Sequence, residues 1–111
     1  MTRTATAPRN SAKAVEKLET RAIEAARLLK LLANSQRLII LCRLMHSEMS
    51  VGELGEHVDL SQSALSQHLA RLRAERLVST RRDGQLIYYR IADANAEKLV
   101  EALCELYGGK K

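Results

Sequence analysis

A chain of 111 residues is the size of one small domain, and with 46% apolar residues but no Trp and no Phe its modest core must be aliphatic, as in packed helices. Lys and Arg number 18 against 13 Asp and Glu, for a net charge of +5 and a pI of about 9.6, which favours a polyanionic partner over a purely structural role. No apolar stretch approaches the length of a membrane span, and "MTRTATAPRNSAK" lacks the apolar centre of a secretion signal, so a cytoplasmic protein with no membrane partner is expected.

Residues 1–10 hold the only proline, Pro8, and show no periodic apolar face, so a disordered N-terminal arm is expected there, with the folded domain spanning 11–109. From Ser11 to about Leu32, the residues Val15, Leu18, Ala22, Ala25, Leu29 and Leu32 recur at three- and four-residue steps, which predicts one helix with one apolar stripe. "ANS" at 33–35 ends it. Ser35 is positioned to cap a second helix through "QRLIILCRLMH", apolar nearly all round and therefore expected at the centre of the fold. "SVGE" at 50–53 matches the capping box, and a short helix over about 51–57 follows.

After "VDL", Ser61 is expected to cap a helix reaching about Glu75, with Leu65, Leu69 and Leu72 as its buried line. Two helices meeting across a turn of three or four residues make a helix-turn-helix. The period then changes. "VSTRR" and "QLIYYRI" flank Asp83-Gly84, the signature of a two-residue hairpin turn, and pairing across it puts Val78, Thr80, Ile87, Tyr89 and Ile91 on one face and Arg81 and Arg90 on the other. Asp93 caps a last helix with Ala96, Leu99, Val100, Leu103 and Tyr107 on one stripe, ended by Gly108-Gly109.

The predicted order, α-α-α-α-β-β-α, is mainly helical with a small β-hairpin: a winged helix-turn-helix. On the helix capped by Ser61, the residues Gln62, Ser63, Ser66, Gln67 and Arg71 lie opposite the leucines. Short hydroxyl and amide side chains let a backbone approach a major groove, Gln pairs with adenine edges, Ser serves base or phosphate, and Arg reads guanine or clamps phosphate. A polar face can equally be a merely solvated one. The hairpin weighs against that reading: over 71–90, six arginines oppose two carboxylates, a local net of +4, with Arg81 and Arg82 beside the hairpin tip. A basic wing beside a polar helix is the pattern of phosphate contacts around base readout.

The runs "LLKLLANSQRLIILCRL" and "MSVGELGEHVDLSQSALSQHLARLRAERLVSTRRDGQLIYYRI" resemble the ArsR/SmtB family of bacterial winged-helix repressors over about residues 25–107, most closely the branch typified by NolR, HlyU and BigR. The resemblance implies a homodimer built from the first and last helices, here through Val15, Leu18, Ala22, Leu99, Leu103 and Tyr107, that sets two recognition helices on an imperfect inverted repeat of double-stranded DNA. The wide apolar stripes of both terminal helices agree with a shared interface. The alternative is that those stripes only close the monomer.

Many members of the family sense metals. Here His46, His57 and His68 fall in different elements, "SVGELGEH" lacks the Cys-x-Cys of arsenic and cadmium sensors, and the last helix has no His, so no metal and no cofactor are expected; His68 reads as a hydrogen-bonded structural histidine. Sulfur-sensing relatives use one cysteine in the second helix and one near the end of the last. Cys42 matches the first, whereas the second position is Gly108, with Cys104 one helical turn earlier. That displacement preserves a bridge or abolishes it, and two readings stand: an inert pair of core thiols, or a redox switch through Cys42 and Cys104.

No Gly-rich phosphate loop, nucleophile with a base, or paired-carboxylate motif points to an enzyme. The function expected from the sequence is a DNA-binding repressor acting by operator occlusion, with a winged helix used only for protein contacts as the rival.

Overall fold

The computed structural model describes residues 11–109, so the expected N-terminal arm lies outside the described residues. They fall into two compact units, divided between Lys30 and Leu31.

The first unit holds α1 (Ala12–Thr20) and most of α2 (Ala22–Leu32), where one continuous helix was expected. The Ser11 hydroxyl oxygen accepts the Ala14 amide at 3.1 Å and starts α1. Thr20 ends it: its hydroxyl donates to the Lys17 carbonyl at 2.7 Å, back-bonding of a kind that competes with the helical ladder. Arg21 then leaves helical geometry (φ −121°, ψ 19°), and its guanidinium bonds both carboxylate oxygens of Glu24 at 2.8 and 2.9 Å. No residue of α1 is buried.

The second unit contains α3 (Ser35–His46), β1 (Met49–Ser50), α4 (Val51–Gly55), α5 (Gln62–Ala74), β2 (Val78–Asp83), β3 (Leu86–Ile91) and α6 (Ala94–Gly108). Asn34, not Ser35, caps α3, its side-chain oxygen accepting the amides of Gln36 and Arg37 at 3.0 Å each. Asn is as strong a cap as Ser, and its carbonyl satisfies two free donors at once. The α3 helix packs against α6 and β3 through buried Ile40, Leu41 and Leu44, but Ile39 remains 49% exposed, so the helix is less enclosed than its composition implied.

The capping box at Ser50 and Glu53 forms as expected, with reciprocal bonds of 3.0 and 3.2 Å. The α4 helix stops at Gly55, and residues 56–61 lead to α5, a longer connection than the expected turn of three or four. Leu54 of α4 and Leu65, Leu69 and Leu72 of α5 are buried, with Leu31, Leu32, Leu77, Val78, Ala96 and Val100 completing the aliphatic core around α3.

The α5 helix ends on a non-glycine residue in the left-handed region, Arg76 (φ 65°). The Leu77 amide donates to the Leu72 carbonyl at 2.9 Å and the Arg76 amide to the Arg73 carbonyl at 3.0 Å, a Schellman motif whose end residues Leu72 and Leu77 are both buried. A left-handed backbone crowds any Cβ. Arg76→Gly is therefore expected to raise folding stability by about 0.5–1 kcal/mol, read from a denaturant midpoint.

The sheet has three strands in the order β1-β3-β2, all antiparallel, one more than the hairpin alone. Asp83 pairs with Leu86, so the two-residue loop is Gly84-Gln85 and not Asp83-Gly84; Gly84, at φ 67°, takes the first loop position. The loop shifts by one residue, which moves each cross-strand partner by two and leaves every side chain on its expected face. Val78, Thr80, Ile87, Tyr89 and Ile91 share one face, with Arg82; Arg81, Tyr88 and Arg90 share the other.

Candidate nucleic-acid interface

The α5 helix has two unlike sides because leucines recur at 65, 69 and 72 and are buried, while everything between them is short or polar. Ser61 caps it, its hydroxyl oxygen accepting the Ala64 amide at 3.1 Å. Gln62, Ser63, Ser66, Gln67, Ala70 and Arg71 are all exposed, three adjacent pairs that recur every four residues along the opposite side. Thirteen residues of helix are about 20 Å long and 10–12 Å across, the bore of a DNA major groove. The helix is anchored by His68, half-buried, whose Nε2 lies 3.1 Å from the Gln36 amide oxygen of α3, giving it the hydrogen-bonded structural role expected.

Beyond the helix, Arg71, Arg73, Arg76, Arg81, Arg82 and Arg90 are all exposed. The strand pleat separates the two wing arginines that the sequence placed side by side. Arg82 projects from the face shared with Thr80 and Ile87, whereas Arg81 projects from the other and is engaged there: its Nε donates to both carboxylate oxygens of Glu48, each at 2.8 Å, and its guanidinium lies 4.7 Å from the centre of the Tyr88 ring. The Glu48 hydrogen bond is the leading reason that Arg81 holds its proton even more firmly than an ordinary arginine. Sequence reasoning missed Glu48 in this role because it precedes β1, a strand only two residues long with no periodic signal, and missed Tyr88 because a loop at Asp83-Gly84 would have set Leu86 opposite Arg81.

The two cysteines meet. The Sγ atoms of Cys42 on α3 and Cys104 on α6 lie 2.8 Å apart, both thiols free and half-buried. The one-turn displacement of Cys104 thus keeps the pair in contact. The hydrogen bond to Cys42, then burial, then the neighbouring charges of Cys42, Glu101 and Glu105 push the Cys104 thiol up to about 11. Its proton is bound more tightly in the folded chain than at the ordinary value of 9.0, so this contribution to stability is complete below pH 9 and is lost as pH rises through about 11.

Of the residues expected at an interface between copies, Val15, Leu18 and Ala22 are exposed, Leu99 and Leu103 are half-buried, and Tyr107 is 86% exposed; Leu106, not singled out in the sequence, is 75% exposed beside it. Among the described residues, no group of three or more His, Cys, Asp or Glu side chains is placed to hold a metal ion, and no helix is long and apolar enough to cross a membrane.

Comparison with known proteins places these features in a wider set. The sequence pattern of bacterial regulatory proteins of the arsR family matches residues 34–80, from the cap of α3 to the middle of β2. The transcriptional activator HlyU of Vibrio cholerae is 45% identical over 93 residues, 84% of this chain and 86% of HlyU. The nodulation protein NolR of Rhizobium meliloti is 54% identical over 84 residues, 76% of this chain and 69% of NolR. The crystal structure of the transcriptional repressor BigR from Xylella fastidiosa superposes with a TM-score of 0.79 at 43% identity, covering 84% of this chain and 95% of BigR.

Proposed function

The chain belongs to the ArsR family of bacterial regulatory proteins, in the company of HlyU, NolR and BigR, and from that premise we propose that residues 11–109 form a DNA-binding and dimerisation domain that represses transcription by occupying an operator. The observation that carries this reading is the exposed side of α5, where Gln62, Ser63, Ser66, Gln67 and Arg71 face outward from a helix that contains no carboxylate before its cap at Glu75, and the arginine-rich wing follows. Gln62, Ser63, Ser66 and Gln67 read base edges; Arg71 and Arg82 hold phosphates; Ser61 fixes the start of the helix and brings its backbone amides to the groove.

Two copies join through α1 and α6. Leu18 and Tyr107 are large apolar side chains left 57% and 86% exposed, and a water-facing stripe on both terminal helices has its natural partner in a second copy of itself. Two recognition helices related by a two-fold axis then suit an imperfect inverted repeat, and a dimer lying across a promoter in the cytoplasm excludes polymerase. Relatives named as activator and as repressor share this domain, so the position of the operator, and not the fold, sets the sign of regulation.

Arg82→Ala tests the phosphate role. Binding to every duplex is expected to weaken roughly tenfold, and the slope of log affinity against log salt to flatten by about 0.9. Unequal losses on operator and scrambled duplexes would assign Arg82 to base readout instead.

The thiol contact favours a second, additional reading: a switch in which Cys42 and Cys104 close into a disulfide and release DNA. Two free thiols 2.8 Å apart need less than an ångström of further approach to reach disulfide bonding distance, and the bond would tie α3, which bears Gln36, to α6. Diamide, taking up the two electrons and two protons lost by the thiols, is expected to lower DNA affinity at least tenfold in the wild type and to leave Cys42→Ser and Cys104→Ser unaffected. Unchanged wild-type binding after quantitative disulfide formation, verified by mass, would leave the cysteines as packing groups.

A further inference from the structure

The two wing arginines are adjacent in sequence but differ in what they can offer a polyanion. We propose that Glu48 withholds Arg81 from DNA phosphate, so that this pair sets the overall affinity and salt sensitivity of binding while leaving base readout to α5. The inference rests on the DNA-binding reading and extends it to a residue outside the helix-turn-helix.

The sheet register builds the arrangement. Arg81 of β2 pairs with Tyr88 of β3, and Tyr88 pairs in turn with Ser50 of β1. Glu48, two residues before Ser50, falls on the same face by the alternation of an extended chain. The arginine therefore reaches across the Tyr88 ring, 4.7 Å below its guanidinium, to a carboxylate on the far side of the central strand, where both oxygens sit 2.8 Å from Nε. A phosphate approaching this face meets a cation already matched by an anion, and beyond a screening length of about 8–10 Å the pair presents no net charge. Arg82, on the opposite face and exposed, is not so engaged by Glu48.

The pair has little to do for the fold. Both side chains are substantially exposed, at 51% and 33%, and an ion pair in such a setting contributes little to folding. Its effect falls on the charge it occupies. Releasing Arg81 adds one phosphate contact that every DNA sequence supplies equally, which raises affinity without altering preference.

The experiment is fluorescence anisotropy over a salt series with two labelled duplexes, one from upstream of the protein's own gene and one of scrambled sequence. Wild type is compared with Glu48→Ala, Glu48→Gln, Arg81→Ala and the double variant Glu48→Ala/Arg81→Ala, each first verified as folded by circular dichroism. Glu48→Ala is expected to bind both duplexes about 5- to 10-fold more tightly with a salt slope steeper by about 0.9, and Glu48→Gln to move in the same direction by less. Arg81→Ala alone is expected to stay within about twofold of wild type, and the double variant to return to it.

The proposal is overturned if Arg81→Ala weakens binding as much as Arg82→Ala, since Arg81 would then already serve phosphate. It is equally overturned if the gain from Glu48→Ala survives in the double variant, which would make Glu48 a diffuse repulsive charge, or if Glu48→Ala changes nothing while wild type binds. Wild type that binds neither duplex at low salt overturns the DNA-binding reading itself, and this inference with it.

Discussion

Leu69→Ala is expected to destabilise the fold by about 2–5 kcal/mol, lowering the melting temperature by roughly 10–30 °C. Leu69 is fully buried at the middle of α5, between Leu65 and Leu72, and truncating it removes the transfer energy of its side chain and leaves a cavity that rigid neighbours fill only in part. The opposite side of the same helix gives the control. Ser66 is exposed, three residues earlier, and Ser66→Ala is expected to change stability by less than about 0.5 kcal/mol while touching the proposed DNA surface. Thermal denaturation of the two variants separates them; similar melting temperatures would mean that α5 is not seated on its leucines.

Gln62→Ala is expected to remove about 1–3 kcal/mol of discrimination between the operator and a scrambled duplex, a 5- to 150-fold loss of preference. Gln62 is the first residue of α5 and is exposed, and the N-terminal residues of a recognition helix are those that reach base edges. Its carboxamide can donate to and accept from one adenine, a pairing that no methyl group replaces. Binding to the scrambled duplex should hardly change, because no phosphate contact is lost. Competition binding with both duplexes measures the ratio, and equal weakening on both would place Gln62 on the backbone.

These two variants probe the part of the molecule that the sequence states most clearly. Leucines at 65, 69 and 72 after a serine cap leave one solution for the helix, and the alternation in "VSTRR" and "QLIYYRI" preserved the faces of the hairpin even though its loop sits one residue later than Asp83-Gly84 suggested. Period-two patterns survive such a shift because partners move in steps of two. Features that escaped lack a repeating signal. The break at Arg21 depends on a hydroxyl turning back to the Lys17 carbonyl, and the stop at Arg76 on an arginine accepting a backbone geometry normally given to glycine. Strand β1 is two residues long and exists because β3 offers it an edge. Glu48 was invisible for the same reason: its meaning comes from a neighbour 33 positions away.

The site followed the same rule. The serine and glutamine positions of α5 were legible because they are the complement of its buried line. Arg81 was legible as a basic wing residue but not as an engaged one. For the cysteines, a family position occupied by Gly108 left the pairing open, and only the packing of α3 against α6 brought Cys104 to Cys42.

The measurement that bears most directly on the account is anisotropy of the wild-type protein, in reductant, on a duplex from upstream of its own gene and on a scrambled duplex, from low to high salt. Binding through α5 and the wing predicts affinity for the upstream duplex at least about a thousandfold above the scrambled one at physiological salt, with both falling steeply as salt rises. Equal, weak binding to both duplexes, or an interaction indifferent to salt, would contradict it and give the winged helix to a protein partner.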